Sequence, residues 1–429
     1  MRRALALWLV LFAAYAATLA LPVRRGAHTP REARIVLVAR ELDRDARLSQ
    51  PVALGLPLLA APVLAALGVT GLQLLLAAAM ALAVALAAVL ARRVVPDPWT
   101  SAAALACGLS PPALATAGAI GPEPLAALLL TGAALCALRT RERPQLRWAM
   151  AAGVQLAVLP WLGVELALAG LVIALALVRW LLRRGRGLYA LVAGEAVVFS
   201  VVACVSVNER IFGSFVPQAA AEGPVTGARG VGEHAARAQR LVSLWLDRES
   251  GMLRWAPVVA LAFFGVWLLW RSRRERLAVA VPDRLDAEVA AGLCALCCGA
   301  QVAVAAFLAP AIGGPAFPGL HLVSALPLAV PLCAWGLRHA PRVGAALVSV
   351  TVATSVWLLV AVAAGDSGLA PPSSRAPLGP LDVILPRFGE GSPWATAVTA
   401  GLGAGLLALA VREGRRWRGS AARARAALR

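Results

Sequence analysis

The sequence predicts an all-α integral membrane protein with about twelve transmembrane helices. Hydrophobic residues make up 60% of the 429 positions and charged residues only 15%, which is far more apolar than an average soluble protein. Apolar runs of about 20 residues, the length at which a helix crosses the bilayer, recur along the chain. Short arginine clusters lie between these runs, where the cytoplasmic anchors of membrane helices are found. These observations predict one transmembrane domain over residues 1–429 and no separate water-soluble domain.

The apolar runs give the predicted helices in chain order, starting with the amino terminus in the cytoplasm. The predicted spans are residues 4–21, 71–91, 99–120, 123–138, 148–162, 164–182, 188–207, 255–270, 289–312, 320–337, 343–364 and 394–411. Every arginine cluster then lies on the cytoplasmic side, and an even number of spans places both termini there. We therefore expect a multi-pass protein of the plasma (inner) membrane. Pro160 and Pro327 predict kinks in the spans that contain them.

Three outer loops remain between these spans, at residues 22–70, 208–254 and 365–393, and residues 412–429 form a cytoplasmic tail. In the first loop, residues 31–45 carry apolar side chains at roughly helical spacing among charged ones, which predicts an amphipathic helix on the outer leaflet. Residues 51–68 are apolar but contain three prolines, which favours an interfacial or re-entrant piece packed against protein.

Composition also narrows the range of partners and chemistry. The net charge of +19 does not indicate nucleic acid, because the arginines are divided among clusters beside membrane spans. The seven cysteines all lie in apolar stretches, which predicts core packing and neither disulfides nor a metal site. The chain has no Walker loop, dinucleotide fingerprint or zinc-protease helix, so ATP-driven transport, nicotinamide chemistry and zincin proteolysis lack support. Membrane lipids are the partners that composition alone implies.

Two acidic residues lie at predicted membrane depth. Glu195 falls inside the predicted span 188–207, and Glu165 falls at the start of the span 164–182. Ionisable groups at such depth are costly and often functional. Two interpretations of Glu195 stay open: it belongs to a functional site, or it is paired or protonated within the bundle or lies near the cytoplasmic end.

The first outer loop carries a motif with a known counterpart. The stretch from Arg31-Glu-Ala-Arg-Ile35 to Ala39-Arg-Glu-Leu42 resembles the Asp-Glu-Ala-Arg-Tyr … Ala-Arg-Glu-Met pattern of GT-C-type glycosyltransferases, including lipid A aminoarabinose transferases and relatives of protein mannosyltransferases. Two weaker similarities follow: residues 121–130 occupy the place where these enzymes carry an acidic residue at the outer end of the fourth span, and residues 244–257 are similar to a segment of bacterial GT-C-like membrane proteins. The resemblance implies a GT-C-like fold that transfers a sugar from a polyprenyl-phosphate donor to an envelope glycan, lipid or protein at the extracytoplasmic face.

The chain also departs from that pattern. Arg31 stands where the family has its expected catalytic or metal-binding aspartate, and Ile35 replaces the usual tyrosine. A cation cannot accept the proton that an acceptor hydroxyl loses, so Arg31 cannot take over the role of a base. Either Glu32 or another acid substitutes, or the chain is catalytically degenerate.

The resemblance and the outward position of the loops give a set of candidate site residues. The candidate catalytic carboxylates are Glu32, Glu123 and Asp247, and the candidate substrate-binding residues are Arg210, Arg248, Arg254 and His321. A guanidinium matches the oxygens of a phosphate, but any of these arginines has an alternative role as an anchor for lipid headgroups. No cofactor is implied with certainty, and a divalent metal at the carboxylates stays open. The alternative to an enzyme is a non-catalytic polytopic protein: a transporter, a flippase or a scaffold in envelope assembly.

Overall fold

The computed structural model describes residues 2–21, 29–44, 48, 50–215, 237–276, 283–308, 320–365, 368–369, 377–388 and 393–427. Within these ranges the regular structure is helical, without β-strands. In the described part of the chain, seven helical segments are long and apolar enough to cross a membrane: Gly55–Ala91, Glu123–Glu142, Val164–Arg183, Gly187–Phe212, Ala287–Leu308, Pro341–Ala363 and Pro393–Arg412. The prediction of an all-α polytopic membrane protein is thereby confirmed, while the count of about twelve spans stays a prediction.

The first half of the described chain contains nine helices. They are α1 (Arg2–Thr18), α2 (Pro30–Asp43), α3 (Gly55–Ala91), α4 (Trp99–Gly108), α5 (Pro111–Ala117), α6 (Glu123–Glu142), α7 (Leu146–Leu162), α8 (Ala167–Arg183) and α9 (Gly187–Phe212). A 3₁₀ turn, Val164–Leu166, joins α7 to α8.

The described second half also contains nine helices. They are α10 (Arg240–Leu246), α11 (Met252–Trp255), α12 (Ala260–Arg276), α13 (Asp283–Ala303), α14 (Leu320–Val323), α15 (Leu326–His339), α16 (Pro341–Ala363), α17 (Leu381–Ile384) and α18 (Pro393–Ala427). Residues Val304–Leu308 continue α13 as a π-helix.

Three predicted elements are interrupted in ways that the sequence explains. The predicted span 99–120 is divided into α4 and α5, because two consecutive prolines follow Ser110 and cannot continue the hydrogen-bond ladder of α4. The predicted piece 51–68 is helical from Gly55 and ends at Gly68, whose φ of 68° breaks α3 before its long membrane segment. The predicted span 320–337, expected to be kinked near Pro327, is interrupted at residues 324–325 between α14 and α15, and Pro327 lies in the first turn of α15.

Helix α2 forms as the amphipathic pattern predicted. Ile35, Val36, Val38 and Ala39 are buried along one side, and α2 packs against α3. Its first turn is fixed by a capping box in which Thr29 and Glu32 exchange hydrogen bonds. The capping box fixes the position of the Glu32 side chain at the start of the helix.

The interior is built from small residues that let helices approach closely. Glycines face each other where α12 crosses α15: a Cβ added to Gly265 would clash with the carbonyl oxygen of Leu332. A Cβ added to Gly336 would likewise clash with the carbonyl oxygen of Leu261. Close backbone packing of this kind is typical of membrane helices, since lipid provides no hydrophobic force to drive their association.

An arginine cluster also organises the end of the bundle where α3 leads into α4. Asp97 accepts hydrogen bonds from Ser101 at 2.7 Å, Arg92 at 3.0 Å and Arg3 at 3.1 Å. These donors lower the pKa of Asp97 to about 2 from an ordinary value of 3.8, against a smaller opposing effect of burial. The cluster ties the start of α1 to the connection between α3 and α4.

Candidate functional site

The candidate site begins at the first turn of α2. The Thr29 hydroxyl accepts a hydrogen bond from the Glu32 amide at 3.1 Å, and Glu32 Oε2 accepts one from the Thr29 amide at 3.0 Å. Threonine followed three residues later by glutamate favours this reciprocal arrangement. The capping box therefore holds the Glu32 carboxylate against the protein, next to Arg31 in the same turn.

The second part of the site is the turn that precedes α6. Glu32 Oε1 accepts a hydrogen bond from the amide of Ile120 at 3.0 Å, so one carboxylate joins the start of α2 to this turn. Glu32 is only 6% exposed. The Glu123 carboxylate lies against Gly121 in this turn, within 2.2 Å of where a Cβ on that glycine would be. The sequence Gly121-Pro122-Glu123 thus folds the Glu123 side chain back toward α2.

Arg31 and Glu123 form the polar centre of the site. Arg31 Nη1 lies 2.6 Å from Glu123 Oε1, and the two side chains are 41% and 4% exposed, respectively. Burial lowers the pKa of Arg31, but the charges of Glu123, Glu165 and Glu32 outweigh it and raise the pKa above its ordinary value. Glu123 also lies in the first turn of α6, where the helix dipole favours a negative charge. Arg31 therefore remains a cation beside Glu123.

Glu165 adds a third carboxylate near Arg31 that the sequence did not connect with it. It lies in the 3₁₀ turn after α7, partly buried, and packs so closely on Gly163 that a Cβ there would be 2.7 Å from Glu165 Oε1. Arg31 is thus within electrostatic range of carboxylates from three separate elements. Among the described residues no three histidine, cysteine, aspartate or glutamate side chains are arranged to hold a metal ion.

The remaining predicted carboxylate, Asp247, lies in the segment predicted to be the second outer loop and stabilises that segment itself. Its Oδ2 accepts hydrogen bonds from the amides of Glu249 and Ser250 and from the Ser250 hydroxyl, at 3.2, 3.1 and 2.5 Å. Its Oδ1 accepts one from the Phe388 amide at 3.1 Å. Asp247 is 8% exposed. Both oxygens are therefore engaged in holding the second outer loop to the third.

Arg254 also joins the second outer loop to the third, through its own side chain. Its guanidinium donates to the carbonyl oxygens of Pro377, Leu378 and Arg248 and to Asp382, the last at 2.6 Å. The hydrogen bond from Arg254 lowers the pKa of Asp382. Arg248 also approaches Asp382, at 3.5 Å. Arg254 is almost fully buried by these contacts, whereas Arg248 remains 43% exposed.

The structure therefore divides the predicted site residues into two groups. Glu32 and Glu123 meet at the junction of α2 and α6, and Asp247, Arg248 and Arg254 meet where the second and third outer loops join. Arg210 is exposed near the end of α9, and the side chain of His321 lies outside the described residues. No protein-family model matches this chain, and no curated protein matches it.

Proposed function

We propose that this chain is a GT-C-like membrane glycosyltransferase that moves a sugar from a polyprenyl-phosphate donor to an envelope acceptor at the extracytoplasmic face. The observation that carries the proposal is the Arg31–Glu123 ion pair, whose partners are 92 positions apart. It brings together the two places at which the resemblance expects acidic site residues. The hydrogen bond from Ile120 to Glu32 supports the same junction.

The proposed chemistry uses the residues of this junction directly. An acceptor hydroxyl oxygen attacks the anomeric carbon of the sugar, and the bond from that carbon to the phosphate oxygen breaks. The phosphate leaves with the bonding electrons, and the hydroxyl proton passes to a carboxylate. Glu123 is the proposed base, because Glu32 accepts backbone hydrogen bonds with both of its oxygens.

Arg31 has a complementary role in this proposal. Its one hydrogen bond to Glu123 uses Nη1, and the guanidinium carries further N–H donors on a side chain that is 41% exposed. A guanidinium fork matches phosphate oxygens. The donor phosphate would compete with Glu123 for Arg31, so that donor binding frees the carboxylate for the acceptor proton.

A second candidate function is a non-catalytic protein that handles lipid-linked intermediates, as a transporter, flippase or scaffold. One specific observation favours it: each predicted carboxylate has a structural partner, with Glu32 bound to amides and Glu123 neutralised by Arg31. Arg31 also replaces the expected catalytic aspartate.

Sugar transfer by purified protein in liposomes, measured with a panel of polyprenyl-phosphate donors, separates the two functions. We expect Glu123→Gln to lower transfer by about 100-fold or more, the usual contribution of a general base. Glu209→Gln, which changes an exposed acid near the end of α9, is the control and should leave transfer unchanged. Polyprenyl-phosphate binding without transfer from any donor would favour the second function, and the absence of both would refute both.

A further inference from the structure

An open apolar groove of about 1010 Å³ runs between α8 and α9, and it is independent of the proposed glycosyltransferase site. Its lining includes Val178, Leu182, Leu191, Gly194, Val198 and Phe199. Only 17% of the membrane window of α9 is buried within the chain, compared with 72% for α6. The groove therefore faces the surroundings of the bundle.

One charged side chain, Glu195, lines this groove. It is exposed and makes no hydrogen bond or ion pair with the described part of the chain. At a rise of 1.5 Å per residue, Glu195 lies about 12 Å along α9 from Gly187, the end that follows Arg183, Arg184 and Arg186. A carboxylate at that depth on a lipid-facing surface requires a polar or cationic partner.

Helix α18 has an uncovered surface and a cation that could match the groove and Glu195. Only 6% of its membrane window is buried, so most of its surface is without a partner in the described chain. Gly401, Gly405 and Arg412 lie on one face, since separations of four and seven residues bring side chains round to the same side of a helix. A Cβ built on either glycine has no neighbour within 4 Å. This face combines a surface for close helix packing with a cation at its end.

The distances along the two helices match. Gly194 lies about 10 Å from the arginine-flanked start of α9, and Gly405 lies about 10 Å from Arg412. If both arginine ends lie on the same membrane side, the helices run in opposite directions. Because side chains tilt toward the start of a helix, Glu195 then extends toward that membrane face and Arg412 extends away from it. With Gly405 packed on Gly194, the Cα atoms of Glu195 and Arg412 lie about 12 Å apart along the helix axes, and the two long side chains extend toward each other across that distance.

We infer that α18 of one copy docks into the α8–α9 groove of a second copy and pairs its Arg412 with Glu195. In a two-fold dimer each copy receives the other's α18, so the contact closes without forming a filament. The occupant of the groove is therefore a second copy of this chain, and the fit is specified by charge complementarity and by facing glycines.

Disulfide crosslinking in membranes tests the packing. The double variant Gly194→Cys/Gly405→Cys should give a crosslinked dimer, and both positions have room for a side chain. Gly194→Cys/Gly403→Cys is the matched control, because Gly403 is equally open but lies on the opposite face of α18. Equal crosslinking of the control pair, or crosslinking of Gly405→Cys alone, would overturn the inference.

Charge reversal tests the ion pair. The dimer fraction, measured by single-molecule photobleaching in bilayers, should fall at least tenfold in Glu195→Arg and in Arg412→Glu. It should recover in the double variant, which restores opposite charges. A monomeric wild type would overturn the inference, and so would a double variant whose dimer fraction is no higher than that of either single variant. Labelling of the groove by a photoreactive lipid, at a protein density at which the wild type is dimeric, would also overturn it.

Discussion

We predict that the two partners of the Arg31–Glu123 ion pair contribute unequally to the stability of the protein. Breaking a fully buried pair by removing one partner costs about 3–5 kcal/mol, whereas exposed pairs contribute about 0.2–1 kcal/mol. Glu123 is 4% exposed and Arg31 is 41% exposed, so this pair is intermediate and solvent screening reduces its strength. Arg31→Gln leaves the buried carboxylate without a cation, and we expect a loss of about 2 kcal/mol. Glu123→Gln leaves a guanidinium that can turn to water, and we expect a loss of about 1 kcal/mol.

The assay is equilibrium unfolding in mixed micelles, titrated with a denaturing detergent and followed by tryptophan fluorescence. The double variant should show a coupling energy of about 1 kcal/mol, because the two side chains are in direct contact. Arg40→Gln, which changes an exposed arginine on the same helix, is the control and should stay within about 0.5 kcal/mol of wild type. A loss for Glu123→Gln equal to or larger than that for Arg31→Gln would refute the assignment of Glu123 as the buried partner.

Three further predictions follow from the packing and the caps. Gly336→Ala should destabilise the protein by about 1–3 kcal/mol in the same unfolding assay, because its methyl group meets a backbone oxygen of α12, whereas Gly299→Ala, at an open position, should not. Thr29→Ala should cost about 1 kcal/mol and increase hydrogen exchange in the first turn of α2; unchanged exchange would contradict the capping box. The folded pKa of Asp97, about 2, is below its ordinary 3.8, so its stabilisation is present above pH 3.8 and is lost as the pH falls toward 2. Asp97→Asn should remove this part of the pH dependence of unfolding, and an unchanged profile would argue against the cluster.

Local sequence patterns predict much of the architecture. Apolar runs and arginine spacing predicted a polytopic helical protein, and the apolar spacing of residues 31–45 predicted α2. Thr29 and Glu32 also carry the capping-box spacing, and the prolines after Ser110 carry the signal for the break between α4 and α5. These features were predictable because each depends on residues within one or two helical turns.

The contacts of the site were not predictable in this way. Arg31 and Glu123 are 92 positions apart, and helical periodicity does not tell which helix ends are neighbours. An arginine at position 31, where the pattern that the chain resembles has an aspartate, together with the acid at Glu123, is the sequence signal that points to the pair. Arg254 illustrates the converse: an arginine in an outer loop suggests a phosphate contact, but carbonyl groups of the third loop surround it. The catalytic role of Asp247 and the substrate-binding roles of Arg248 and Arg254 stay predictions.

The central claim is that the junction of α2 and α6 faces the outside and binds a lipid phosphate. Ala33 is exposed in the first turns of α2, and Ala33→Cys provides a reporter there. Its reaction with a membrane-impermeant maleimide should proceed in intact cells, above the background of the wild-type cysteines, and should be slowed by polyprenyl phosphate but not by neutral polyprenol. Reaction only after permeabilisation, or equal rates with and without the phosphate, would contradict the claim.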